Sequence, residues 1–136
     1  MEIEYEWRKC SEGGSTWLES IIAEAYLECK ELQCTEYPIT RQRIIEDTIQ
    51  NTRWEYRCTI GGTVSTVAVI TLDEDNHVGL CYGMQWCYTV PKYRGTGSTL
   101  KAYRGLRDLA KAAGLPYAYT KRIKEGEYNL VYKNYG

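Results

Sequence analysis

The chain has 136 residues, enough for one domain spanning 1–136 with its own core, and its 43% hydrophobic and 26% charged residues are those of an ordinary folded protein. A net charge of −1 argues against a dedicated binder of nucleic acid or anionic membrane, which needs a basic excess; the local basic cluster between Lys92 and Lys124 suits a phosphate-bearing small molecule instead. No apolar run approaches the roughly 20 residues of a membrane span, and the acidic, alternating start Met1–Glu6 is not a signal peptide, so a cytoplasmic location is expected.

Ile3, Tyr5 and Trp7 alternate with Glu4, Glu6 and Arg8, the period of a half-buried strand. Ser11 to Gly14 breaks it. A helix then starts near Ser15 or Thr16, where Thr16 and Glu19 have capping-box spacing. Trp17, Leu18, Ile21, Ile22, Ala25, Cys29 and Leu32 give it an apolar face. Its acidic side, Glu19, Glu24, Glu28 and Glu31, reads as a solvated face. Gln33 to Pro38 is a loop, and Ile39-Thr40 opens a second helix, Arg41 to about Gln50, with Ile44, Ile45 and Ile49 on one stripe.

Trp54 to Ile60 alternates as a strand closed by Gly61-Gly62, and Thr63 to Leu72 is a second strand rich in valine and threonine. After the turn Asp73–Asn76 comes a long strand, Val78 to Val90. Val78, Leu80, Tyr82, Met84, Trp86, Tyr88 and Val90 are expected on one face, with a bulge or bend at Gly83. A helix over 98–113 follows. Leu100, Tyr103, Leu106 and Leu109 point inward, Gly105 permits close approach to the sheet, and Gly114 forms the C-cap. Tyr117 to Thr120 and Tyr128 to Tyr132 read as closing strands around a turn at Lys124–Glu127. The predicted fold is α/β (α+β), in the order β-α-α-β-β-β-α-β-β. Its sheet is mixed and mostly antiparallel, with helices on both faces and the crossover at 98–113 returning a parallel strand.

The six cysteines contain no Cys-x-x-Cys and are accompanied by a single histidine, so no metal site is predicted and the thiols read as reduced core residues. Phenylalanine is absent, whereas tyrosine reaches thirteen. The aromatic core therefore carries hydroxyls that need partners when buried.

Thr89 to Leu100 joins the long strand to the third helix. A strand that ends in a glycine-bearing loop and feeds a helix presents free backbone N–H groups to anions. Gly95 and Gly97 permit positive φ there, and Arg94 adds charge. The string Val90-Pro91-Lys92-Tyr93-Arg94-Gly95-Thr96-Gly97 resembles the coenzyme-binding loop of the GNAT acetyltransferases, V-x-P-x-Y-R-G-x-G-x-G/A. It matches at Val90, Pro91, Tyr93, Arg94, Gly95 and Gly97 and departs at Thr99. The predicted element order agrees with that family from Ile3 to Tyr119. After Tyr119 about seventeen residues follow, where the family usually has a further helix, and no tyrosine can be matched to its usual general acid.

The resemblance implies binding of acetyl-CoA and direct attack of an amine on the thioester. Tyr88, Thr89 and Val90 would face the pantetheine, and Arg94, Gly95, Thr96, Gly97, Ser98 and Thr99 would take the pyrophosphate. The family often carries a glutamate on the fourth strand as base. No Asp or Glu lies between Asp75 and Asp108, which leaves Tyr82, Gln85 and His77 as catalytic candidates. Two readings result. One is an acetyl-CoA-dependent N-acyltransferase, with coenzyme A and an amine acceptor as partners. The other is a non-catalytic GNAT-fold binding or structural protein, such as a phage virion component, with a protein partner or self-association.

Overall fold

The computed structural model describes residues 2–134. Among them six strands form one sheet in sequence order: β1 (Ile3–Cys10), β2 (Arg53–Ile60), β3 (Thr63–Asp75), β4 (Gly79–Thr89), β5 (Tyr117–Lys124) and β6 (Glu127–Lys133). All neighbours are antiparallel except β4 and β5, which are parallel because a helix carries the chain between them. The helices are α1 (Ile22–Glu28), α2 (Tyr37–Ile49) and α3 (Ser98–Ala113). The mixed, mostly antiparallel α/β sheet expected from the sequence is the one found.

Each face of the sheet carries its own core. On one, Leu18, Ile22 and Ile44 pack on Val67, Val69 and Tyr88; on the other, Ala102 and Leu106 of α3 pack on Tyr56, Ala68, Ile70 and Met84. Gly105 sets the height of α3. A Cβ there would lie 2.1 Å from the Trp7 ring of β1, so the helix accepts glycine's propensity cost of about 1 kcal/mol to rest on the indole.

The single first helix expected from Thr16 to Leu32 is broken into a 3-10 turn (Trp17–Ser20), α1, and a second 3-10 turn (Lys30–Cys34). Thr16 does cap, accepting from the Leu18 N–H at 3.2 Å. Its acidic partner is not Glu19 but Glu55 of β2, whose carboxylate accepts from the Thr16 hydroxyl at 2.7 Å and the Trp17 N–H at 2.9 Å. Glu55 and Arg53 are fully buried and paired at 2.6 Å, and Arg8 closes on the same carboxylate at 2.8 Å. The second helix starts earlier than expected, because Pro38 occupies its first turn, where no N–H is needed.

β4 is irregular two residues beyond Gly83. Val69 pairs with Trp86 and Ile70 with Met84, which leaves Gln85 as the extra residue of a bulge. The bulge changes which face the strand presents. Tyr82 and Met84 lie against α3, whereas Trp86 and Tyr88 lie on the α1/α2 side, so the unbroken face read from the alternation ends at Gln85. Gly83 has a different use: a Cβ there would sit 2.5 Å from Oδ2 of Asp73. All six cysteines are free. Cys58 and Cys81 are buried as expected, and Cys34 is exposed.

Candidate functional site

β4 and β5 are hydrogen-bonded neighbours only at Tyr82/Tyr117 and Gly83/Ala118. Beyond that point they part, at the position of the Gln85 bulge, and a cavity of about 490 Å³ opens between them. It passes through the sheet, since Tyr103 of α3 lines it from one face and Glu28 of α1 from the other. Thr120 and Arg122 of β5 form the wall opposite β4. The Val90 N–H bonds the Ser65 carbonyl at 2.9 Å. By the alternation of an antiparallel ladder, Tyr88 and Trp86 then turn their backbone groups to β3, while Thr89 and Cys87 turn theirs into the slot.

At its far end the slot meets the turn before α3. Gly95 and Gly97 have φ of +87° and +88°, the left-handed conformation expected of them. Gly97 is the N-cap of α3 without a side-chain cap, and the first bond into the helix runs from the Lys101 N–H to the Gly97 carbonyl. Among the described residues no N–H from Gly95 to Leu100 has a protein partner. The turn is therefore a cluster of free donors at the positive end of a sixteen-residue helix.

The hydroxyls of this segment serve the fold. Ser98 is buried and shares a hydrogen bond of 2.7 Å with Thr66, which in turn meets Thr89 at 2.9 Å. Thr99 bonds the Thr89 hydroxyl, and Tyr56 donates to the Ser98 carbonyl at 2.9 Å. Thr96 donates to the Tyr93 carbonyl at 2.8 Å. These bonds pin the start of α3 to β3 and β4. The side chain of Thr99, the position that departs from the family string, is turned to β4.

Arg94 is likewise engaged. Its guanidinium takes both oxygens of Glu28, at 2.6 and 2.5 Å, and its Nε donates to the Thr89 carbonyl at 3.1 Å. The Arg94 bonds, with help from the Tyr88 hydroxyl at 2.8 Å and against partial burial, hold the Glu28 carboxyl below the usual carboxylate range. Glu31 is bonded by the Tyr128 hydroxyl and lies 3.7 Å from Arg122, and its carboxyl is lowered too. Glu28 and Glu31 thus line the slot, although the sequence reads them as solvated. Their partners lie 60 to 97 residues away, at separations that leave no spacing signal. Burial pushes the Cys87 thiol up to about 12 and raises Cys29, so neither is a thiolate near neutral pH.

The three catalytic candidates are not brought together. Gln85 sits at the bulge on the slot, its Nε2 donating to Thr71 Oγ1 and to Asp73 Oδ2, each at 2.8 Å. Tyr82 packs on the α3 side, where β4 and β5 are still joined. His77 lies in the β3–β4 hairpin, about 35–40 Å along the strand from Thr89. It is three-quarters exposed and holds the Tyr132 hydroxyl at 3.1 Å and Asp75 at 3.6 Å, which makes it part of that hairpin. Asp73 was missed by the sequence reading because it reaches the site from the neighbouring strand.

No protein-family model matches this chain, and neither does any protein of curated function. Solved structures do match. An "IAA acetyltransferase" from Bacillus cereus is 17% identical with a TM-score of 0.53, over 87% of this chain and 66% of its own. A predicted acetyltransferase from Clostridium acetobutylicum, solved with acetyl-CoA, is 13% identical with a TM-score of 0.58, over 90% and 84%. An aminoglycoside 6'-N-acetyltransferase from Acinetobacter baumannii is 12% identical with a TM-score of 0.57, over 89% and 82%. At these identities the likeness is one of fold, and the fold is that of the GNAT acetyltransferases.

Proposed function

We propose that the protein is an acetyl-CoA-dependent N-acetyltransferase that passes the acetyl group directly to an amine. The observation that carries this reading is the slot: β4 and β5 separate at a bulge and leave a passage that ends at a cluster of free N–H groups. An elongated thioester with a pyrophosphate at one end fits that shape and polarity. The backbone of Cys87 and the Thr89 N–H would hydrogen-bond the pantetheine arm; of the segment Tyr88–Val90 expected from the sequence only Thr89 fits, because the backbone of Tyr88 and Val90 is turned to β3. The N–H groups from Gly95 to Thr99 would take the pyrophosphate. Ser98 and Thr99 would contribute through their backbone, since their hydroxyls are spent on the fold. Arg94 would reach a phosphate only by leaving Glu28.

At the bulge the amine nitrogen attacks the thioester carbon. The C–N bond forms, a β4 N–H stabilises the oxygen, the C–S bond breaks, and the thiolate leaves. Gln85 is the one sequence candidate placed there, and it would orient the water that takes the amine proton. The slot cysteines are held as thiols, which favours direct transfer over an acyl-cysteine intermediate. The acetyl-CoA bound to the Clostridium structure supports this choice of donor.

Calorimetric titration of acetyl-CoA tests the reading. The expected result is one site with a Kd below about 1 mM, the range of ordinary substrate affinities. Thr120→Trp, which fills the slot from the exposed side of β5, weakens binding at least ~10-fold, or about 1.4 kcal/mol, at unchanged Tm. Absence of binding at millimolar acetyl-CoA rejects it.

A further inference from the structure

The sheet order leaves β1 as an edge strand. The Gly61 N–H bonds the Glu2 carbonyl at 2.8 Å, which fixes the alternation of the β1–β2 ladder. Glu4, Glu6 and Arg8 bond to β2, and Ile3, Tyr5, Trp7 and Lys9 turn their N–H and C=O groups outward. β1 contains no proline and pairs with β2 without a bulge over its 8 residues, so its free edge is a straight template for another strand.

The two faces of β1 differ. On the α3 side Ile3, Tyr5 and Trp7 form an apolar row, each more than a third exposed. On the α1/α2 side stand Glu4, Glu6 and Arg8. Arg57 neutralises Glu6 at 3.0 Å. Glu4 has no ion pair among the described residues, and a hydrogen bond with Glu2 and repulsion by it raise the Glu4 carboxyl above its usual range. Arg8 lies on the Trp17 ring, 4.2 Å from its centroid, and spends Nη2 on Glu55 and Ser15. Its Nη1 has no protein partner among the described residues.

We infer that the edge of β1 is the contact between two copies of this chain, paired antiparallel about a two-fold axis at Glu6. Outward groups meet outward groups only when odd-numbered residues face odd-numbered ones. Symmetry about Glu6 then sets Tyr5 opposite the partner's Trp7, Ile3 opposite the partner's Lys9, and Glu4 opposite the partner's Arg8. The odd-numbered pairs exchange roughly eight backbone hydrogen bonds. The Glu4–Arg8 pairs, one on each side of the axis, supply the cation that Glu4 lacks. The two Glu6 side chains meet at the axis, each held by its own Arg57. A slip to the next allowed register in one direction sets Glu4 against the partner's Glu6. A slip in the other direction leaves Ile3 outside the seam. The occupant is a second copy because this strand carries both signs of charge at the spacing that complements itself. The slot lies beyond β3 and stays open, so the inference is independent of the transferase reading.

Sedimentation equilibrium of the full chain is the test. A mass of twice 15.7 kDa is expected, with a dissociation constant of about 1–100 µM for so short a seam. Glu4→Arg sets like charges against the partner's Arg8 and raises that constant at least about tenfold, with unchanged far-UV circular dichroism. Glu12→Arg makes the same charge change in the loop after β1, and Leu130→Arg places a charge on the opposite edge strand β6; each shifts the constant less than about threefold. As concentration rises through the transition, amide exchange slows at Ile3, Tyr5, Trp7 and Lys9 and not at Glu4, Glu6 and Arg8, which β2 already holds. A chain that stays monomeric at about 500 µM, where mass action favours assembly, overturns the inference. So does a dimer that Glu4→Arg leaves intact.

Discussion

Two seams of the sheet, the closed end at β1–β2 and the open end where β4 and β5 part, are built from the same kinds of parts and behave as opposites. β1 pairs with β2 along its whole length, from Ile3/Ile60 to Cys10/Arg53, and an ion pair is sealed beneath that seam between Arg53 and Glu55. β4 and β5 meet at two residues and then separate, and the ion pair at that opening, Arg94 with Glu28, is half in water. A buried pair with every oxygen satisfied fixes one arrangement, because breaking it leaves an uncompensated charge. An exposed pair is worth little and can be exchanged for another partner. The closed end supplies rigidity, and the open end keeps charge and backbone donors available.

The largest effect is expected from breaking the seal. Glu55→Ala removes the acceptor of Arg53, Arg8, Thr16 and the Trp17 N–H, and should destabilise by about 3–5 kcal/mol in denaturant unfolding. The same carboxylate gives the closed end a pH signature. Burial pushes its pKa up, but the bonds from Arg53, Trp17, Thr16 and Arg8 outweigh burial and hold it below the usual range. A folded pKa below the unfolded one contributes stability that is fully present above the unfolded value, about 4.3, and is lost as pH falls through the folded value. Stability measured from pH 6 downward should therefore fall less steeply in Glu55→Gln than in the parent.

Next in size is the contact that seats α3 on β1. Gly105→Ala improves helix propensity by about 1 kcal/mol, yet its Cβ meets the Trp7 ring at 2.1 Å, so a net loss of about 1–3 kcal/mol is expected. Adding Trp7→Ala should turn the Gly105→Ala effect from loss to gain, read as a double-mutant cycle. The smallest effect belongs to the open end. Glu28→Gln should change unfolding free energy by less than about 1 kcal/mol, while freeing Arg94, and should not weaken acetyl-CoA binding.

What was legible in the sequence was what short spacings encode. The strands, the helix over 98–113, the positive φ of Gly95 and Gly97, and the parallel return of β5 all follow from period, turn chemistry and crossover length. The parts that complete the site come from pairings across the chain. Gln85 rather than Gly83 is the bulge, since the register against Val69 and Ile70 decides it. Glu28 faces the slot because Tyr88 and Arg94 hold it, and Asp73 arrives from the adjoining strand. His77 is an imidazole at the wrong address, in the hairpin at the opposite end of β4, where it meets Tyr132. Glu55 displaced Glu19 as the acid at the first helical turn because burial with two arginines makes it the stronger acceptor.

The most direct measurement of the central claim is amide hydrogen exchange with and without acetyl-CoA, resolved to single residues. The account predicts added protection at Gly95 to Leu100 and at Cys87 and Thr89, the donors now without protein partners, and little change along β1 and β2. Protection that leaves both donor groups untouched, or appears at the β1–β2 seam instead, contradicts a coenzyme seated in the slot.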